Sequence, residues 1–202
     1  MNVSRGAGGP LVREAAVAGH HLILGELTDF LTGKTLADTH DERYRQKIVR
    51  LLVEQYHFAP TEIRSRIPIA LDLDGKTAQV RLDFLLTLAG RHALLVKYGP
   101  GSLITRHQVA LAASWLLGSY RVPFGIVTNG EDAHLLDHAT GKVVAQGIHH
   151  LWDRSALAAR LARHPLRAVT PRQREMAARI LYAYEVDGRC PCDDTVCEYA
   201  ND

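Results

Sequence analysis

The sequence predicts a mixed α/β domain, a sheet flanked by helices with a helical pair added at the C-terminal end. Three observations carry that expectation. Residues 63 to 98 alternate apolar and polar side chains with strand periodicity, a stretch rich in alanine and leucine separates two apolar strands, and capping residues open helical segments on either side. At 202 residues the chain accommodates one domain of about 150 residues with extensions. Its apolar content of 47% and charged content of 23% are those of a soluble globular protein that buries a core without disulfide or metal staples.

Residues 1 to 38 read as an N-terminal extension with a short hairpin or strand around His21 to Leu27. A core follows over residues 39 to 150. Thr39-His40-Asp41-Glu42 has the form of a capping box and opens a helix with Tyr44, Ile48, Leu51 and Leu52 on one face, ending near Tyr56. From Ile63 to Leu71 the apolar residues Ile63, Ile67, Ile69 and Leu71 fall on odd positions, and Arg64, Arg66 and Asp72 on even ones. Asp74-Gly75 supplies a tight turn. The next strand, Thr77 to Leu88, sets Val80, Leu82, Phe84, Leu86 and Leu88 on one face and Arg81, Asp83 and Leu85 on the other, so Asp83 points away from the most apolar row.

The strand His92 to Tyr98 carries Ala93, Leu95 and Lys97 on one face, and Leu94, Val96 and Tyr98 on the other. It is apolar enough to be central. Gly99-Pro100-Gly101 leads into a helix from Thr105 to Ser119 and then a buried strand, Val122 to Thr128. A helix joining two such strands favours a right-handed parallel crossover. Turns at Asn129-Gly130 and Thr140-Gly141, with a strand around His134 to Asp137 between them, finish the core. Over residues 151 to 187 come two helices that pack on that core, Asp153 to His164 and Pro171 to Val186. Thr170, Pro171 and Gln173 form the opening of the second. Residues 188 to 202 are an acidic tail without periodicity.

Charge is unevenly spread. Arg154 to Arg179 holds seven arginines against Glu175, net +6, and Glu185 to Asp202 holds six acids against Arg189, net −5. A basic segment followed by an acidic one matches a polyanion-binding surface with an intramolecular competitor, or a pair of solvated faces. No apolar run approaches the roughly 18 residues of a membrane-spanning helix, so no membrane association is expected. Met1 to Pro10 lacks the apolar stretch of a secretory signal, and the expected location is cytoplasmic.

Chemistry concentrates on two adjacent strands. Hairpin pairing brings Asp83 close to Lys97. Metal-dependent phosphodiester cleavage needs carboxylates to hold a divalent cation and a fixed positive charge beside the nucleophile. Asp83 meets the first need and Lys97 the second. Each also has a plain reading: Asp83 as a strand aspartate satisfied by Arg81 or a backbone donor, Lys97 as a strand-end lysine reaching water.

The order helix, strand with Asp83, strand with Lys97, helix, strand, then Thr128-Asn129-Gly130 resembles the N-terminal domain of type I restriction enzyme R subunits, within the PD-(D/E)XK nuclease superfamily. The resemblance covers Thr39 to Val144. It rests on Glu42-Arg43 and Arg45-Gln46, Arg81-Leu82-Asp83, Leu95-Val96-Lys97 and Val127-Thr128-Asn129-Gly130. It implies a restriction-endonuclease-like mixed sheet, DNA as partner and Mg²⁺ as cofactor. By motif, the catalytic roles fall on Asp83, Lys97, Glu42 and Gln108, with Asp83 and Glu42 as metal ligands. The position of the second strand acid is held by Leu95, which cannot ligate a hard cation. Glu42 has a competing role as fourth residue of the Thr39 capping box, and Gln108 as an ordinary first-turn helix residue.

Two expectations follow: a nucleic-acid-binding, nuclease-like domain that hydrolyses phosphodiesters with Mg²⁺, or a catalytically inactive interaction or regulatory module keeping the fold. Either acts alone, as a homo-oligomer or with a protein partner. Cys190, Cys192 and Cys197 form C-x-C-x₄-C, a Zn²⁺ or iron–sulfur ligand set that lacks its fourth cysteine, or else free thiols on the tail.

Overall fold

The apolar alternation of residues 63 to 98 folds into the two longest strands of a mixed sheet and the strand beside them. The computed structural model describes residues 24–73 and 75–187, and the backbone of 196–199. A two-stranded hairpin comes first, β1 (Glu26–Thr28) with β2 (Thr35–Ala37), slightly beyond the position expected from sequence. Then come α1 (His40–Glu54), β3 (Ile63–Leu73), β4 (Lys76–Leu88), β5 (Arg91–Tyr98), α2 (His107–Ser114), β6 (Phe124–Thr128), β7 (Ala133–Asp137), β8 (Lys142–Gln146), α3 (Arg154–Arg163), α4 (Pro171–Leu181) and β9 (Val196–Tyr199). The main sheet runs β3-β4-β5-β6-β7-β8, with β9 paired to β4. Among the described strands only β5 and β6 are parallel, joined through α2 as the crossover argument requires.

Helices cover both faces. Buried residues of α2 and α4 (Val109, Ala113, Ala177, Leu181) share a core cluster with Leu85, Leu95 and Val127. Ile48, Val49 and Leu52 of α1 and Leu157 and Leu161 of α3 share another with Phe84, Leu94, Val96 and Ile126. The C-terminal helices are therefore divided between the two faces. Among the described residues, no helix is long and apolar enough to cross a membrane.

Local chemistry explains where the elements differ from the sequence expectation. The α2 region is a 3₁₀ turn at Ile104–Arg106 followed by eight α-helical residues. It stops early because the Trp115 and Leu116 N–H groups reach back three residues, and the Ser114 carbonyl accepts from Val122. Pro123 has no N–H to offer a ladder, so β6 begins at Phe124. Strands β8 and β9 were not anticipated. β8 alternates half-buried and exposed residues at the sheet edge, and β9 lies in the tail expected to lack structure.

Thr39 caps α1 by accepting from the Glu42 N–H, but the Glu42 carboxylate does not return to the cap; only half of the expected capping box forms. The Thr170/Gln173 box on α4 is complete, with Pro171 in the first turn. The single apolar row expected on β4 is split. Val80 and Leu82 join the cluster under α2 and α4, whereas Phe84, Leu86 and Leu88 join the cluster under α1 and α3. The break coincides with Arg66 of β3, a non-glycine residue at φ 53°, which lies opposite Asp83 between the pairs Ser65↔Phe84 and Ile67↔Leu82.

Candidate functional site at the strand fork

Strands β4 and β5 pair from Leu88↔Arg91 to Phe84↔Val96. Beyond that point β5 continues beside β6 as far as Tyr98↔Thr128, while β4 continues between β3 and β9. Asp83 and Lys97 stand where the two strands part, and the side chains expected to lie close together are bound to different helices, Asp83 to Arg45 of α1 and Lys97 to Glu185 beyond α4. Asp83 Oδ2 accepts the Tyr98 backbone N–H at 2.8 Å, so the carboxylate replaces the ladder partner lost at the fork.

Both residues are buried, yet each is engaged elsewhere. Asp83 Oδ1 accepts from Arg45 Nε at 2.8 Å. Lys97 Nζ donates to Glu185 Oε2 at 2.5 Å. Arg45 lies on α1 one turn after Glu42, and its Nη1 is 3.8 Å from Glu42 Oε2. Glu42 Oε2 also accepts from Arg66 Nη2 at 2.7 Å, and Oε1 from Gln46 Nε2 at 2.8 Å. Arg66 Nη1 reaches Asp29 Oδ2 at 3.2 Å, and the other Asp29 oxygen accepts from the Leu31 and Thr32 N–H groups. The result is a continuous network, Asp29–Arg66–Glu42–Arg45–Asp83, of three buried carboxylates and two guanidiniums.

Burial works against the charge on Arg45, but attraction to Asp83, its hydrogen bond, and the nearby Glu42 and Asp41 more than offset it, raising the pKa above the ordinary arginine value. Tyr98 closes the cluster. Its hydroxyl donates to Asp41 at 3.0 Å, its ring stacks on Tyr44, and Arg45 lies over the ring. Burial and the Asp41 charge push its phenol above the usual range.

The predicted site residues therefore separate into three groups. Asp83 and Glu42 come together, sharing a cation that is the Arg45 guanidinium. Lys97 is at the same level of the sheet with a different partner. Gln108 is exposed at the start of α2. Leu95 is fully enclosed, with Leu85 on one side and Gly125 on the other, and its side chain leans over that glycine.

Mg²⁺, which the motif resemblance implies, does not fit this donor set. Leu95 offers no oxygen, all four oxygens of Asp83 and Glu42 already accept from nitrogen donors, and the charge between them is met by arginine. Cys190 and Cys192 lie outside the described residues, as does the side chain of Cys197. Among the described residues, no three His, Cys, Asp or Glu side chains are grouped to hold a metal.

Sequence reasoning missed Arg66, Asp29 and Glu185 as members of the site. Arg66 carried a signal, because it pairs with the level of Asp83 once the β3–β4 hairpin is set in register. So did Glu185, which continues the buried spacing of Ala178 and Leu181 on the last helix. Asp29 had none. Thr128-Asn129-Gly130 makes the expected turn and docks α1: Lys47 Nζ donates to the Gly130 carbonyl at 2.8 Å, and Tyr44 fills the space a Cβ on Gly130 would need.

No curated protein and no solved structure matched. A family model described as the type I restriction enzyme R protein N terminus matches residues 40–151, more than half of the chain, from the first residue of α1 to just before α3. The match contains Glu42, Arg45, Asp83, Leu95 and Lys97, and the chain belongs to the family of type I restriction enzyme R protein N-terminal domains.

Proposed function

We propose that this nuclease-related domain binds DNA through the phosphate backbone and does not itself hydrolyse it. The observation that carries this reading is Arg45, held between Asp83 and Glu42, while the position of the second strand acid is held by Leu95, buried in the core under α2 and α4. A fixed guanidinium neutralises the two carboxylates but cannot acidify a water as a divalent metal does. The PD-(D/E)XK scaffold is thus kept with its metal position converted into an ion-pair network.

DNA as the ligand is supported by the family and by the C-terminal arginines. Four of the seven are used internally: Arg154 on Glu62, Arg160 over Trp152, Arg174 on the Gly118 carbonyl and Arg179 on Glu175. Arg163, Arg167 and Arg172 remain exposed around the α3–α4 connection. Guanidiniums placed this way neutralise phosphates without reading sequence.

Fluorescence anisotropy with labelled single-stranded and duplex oligonucleotides, in Mg²⁺ and in Mn²⁺, tests the reading. Salt-sensitive binding without cleavage is expected. Changing Arg163, Arg167 and Arg172 to Gln should flatten the salt slope by about 2 to 3. Metal-dependent hydrolysis is the second reading, favoured by the family match, which spans both Asp83 and Lys97. Cleavage lost in Asp83→Asn and in Lys97→Met would establish it. Absence of any DNA binding at low salt would remove both.

A further inference from the structure

Glu185 lies outside the matched family segment and enters the fork from the end of α4. There the helix widens into a π-helix, Tyr182–Asp187, which buries Glu185 and Val186. Such turns are rare and occur often at functional positions. The Lys97 and Glu185 side chains are each 9% exposed, with nitrogen and oxygen 2.5 Å apart. Stability alone does not call for this pair, because apolar side chains of similar volume hold a helix on a sheet as well or better. Ala177, Leu181 and Val186 already do so on the same segment. What an ion pair adds is an anion seated on a lysine, exchangeable for another anion.

We propose that Glu185 is an intramolecular stand-in for a nucleic-acid phosphate on Lys97, displaced when a phosphodiester of bound DNA takes its place. This deepens the DNA-binding reading and rests on it. It also relocates the competition implied by the sequence: the competing acid sits on Lys97 at the fork, while Arg163, Arg167 and Arg172 stay open. Arg172 and Glu185 mark opposite ends of one helical segment, about 20 Å apart at the ordinary helical rise. One DNA strand covers that span with about six nucleotides. A short oligonucleotide therefore matches the distance from the exposed arginines to the level of Lys97, where Glu185 follows the end of α4. The exchange breaks no covalent bond: Lys97 keeps its proton, and the Glu185 carboxylate passes into water.

Two measurements on the full chain test this. In anisotropy titrations with single-stranded and duplex oligonucleotides, Glu185→Gln should bind about tenfold more tightly than wild type, the strength of one charge-assisted hydrogen bond. Its salt slope should steepen by about 0.7 to 0.9, one added phosphate contact. Adding Lys97→Gln should return the slope to the wild-type value. In hydrogen exchange on the wild-type protein, saturating DNA should speed exchange of the Tyr182–Asp187 amides. Equal affinity and slope for wild type and a folded Glu185→Gln overturn the stand-in, as does unchanged exchange in that turn; DNA binding by wild type then leaves the broader reading intact. Should circular dichroism show Glu185→Gln unfolded, the wild-type exchange result decides. Failure of the folded proteins to bind DNA removes both readings.

Discussion

On the α1 side of the fork, three carboxylates and two guanidiniums satisfy one another through bonds that reach β1–β2, α1, β3 and β4. On the α4 side, one lysine meets one glutamate held by the end of a single helix. Both groupings are buried and both neutralise charge. They differ in how many partners each charge has, and so in what happens when one is withdrawn. A networked carboxylate keeps other donors when one leaves. An isolated pair is all or nothing, which suits a contact that exchanges and does not suit one that anchors the fold.

The largest expected effect comes from the bridging cation. Arg45→Met leaves Asp83 and Glu42 facing each other without the charge between them, and urea unfolding should show a loss of about 4 kcal/mol. A loss below about 1 kcal/mol would mean that Arg66 and the Tyr98 N–H suffice, and that the network is not cooperative.

On the other side, Glu185→Leu should cost about 3 kcal/mol because Lys97 is left buried and unpaired, whereas Lys97→Met with Glu185→Leu should restore most of that loss. Additive costs in the double variant would show that Lys97 and Glu185 are energetically uncoupled, and the pair would no longer stand as a contact to set against the network.

A third buried group serves as the uncompensated reference. His138 is enclosed, its Nδ1 on the Val122 carbonyl at 2.8 Å and its Nε2 without a partner, aimed at Gly125. Burial lowers its pKa to about 4. Folding therefore favours the neutral ring, and the unfolded chain takes up the proton first as pH falls below about 6.5. Stability contributed by His138 is complete above that pH and declines as pH falls toward 4. Between pH 7 and pH 5 the loss should be about 2 kcal/mol, and it should vanish in His138→Leu. An unchanged pH profile in that variant would place the acid sensitivity in the carboxylate network.

How far the site was legible follows from particular residues. Asp83 and Lys97 could be set at one level of neighbouring strands because a short hairpin leaves little freedom in register, but that one would turn to Arg45 and the other to Glu185 was not legible. Glu42 was legible as a residue of the first helical turn, but the direction of its side chain was not. Its two readings, cap or site, differ by a rotamer that Arg66 and Gln46 select. Arg66 could be set level with Asp83 from the hairpin register, but its left-handed backbone conformation, a departure from strand geometry, could not be foreseen.

From sequence alone came the mixed α/β class, the order of the core elements from α1 to β7, the parallel crossover through α2 and the apolar residue at position 95, since all of these depend on periodicity and local chemistry. Only the tertiary structure decided that the cation between Asp83 and Glu42 is arginine, that the C-terminal helices part to opposite faces of the sheet, and that Lys97 is held by Glu185, 88 residues away. Those choices depend on which charges meet once the sheet is covered. Buried charges must find partners wherever the chain brings them, and the sequence pattern does not record those encounters.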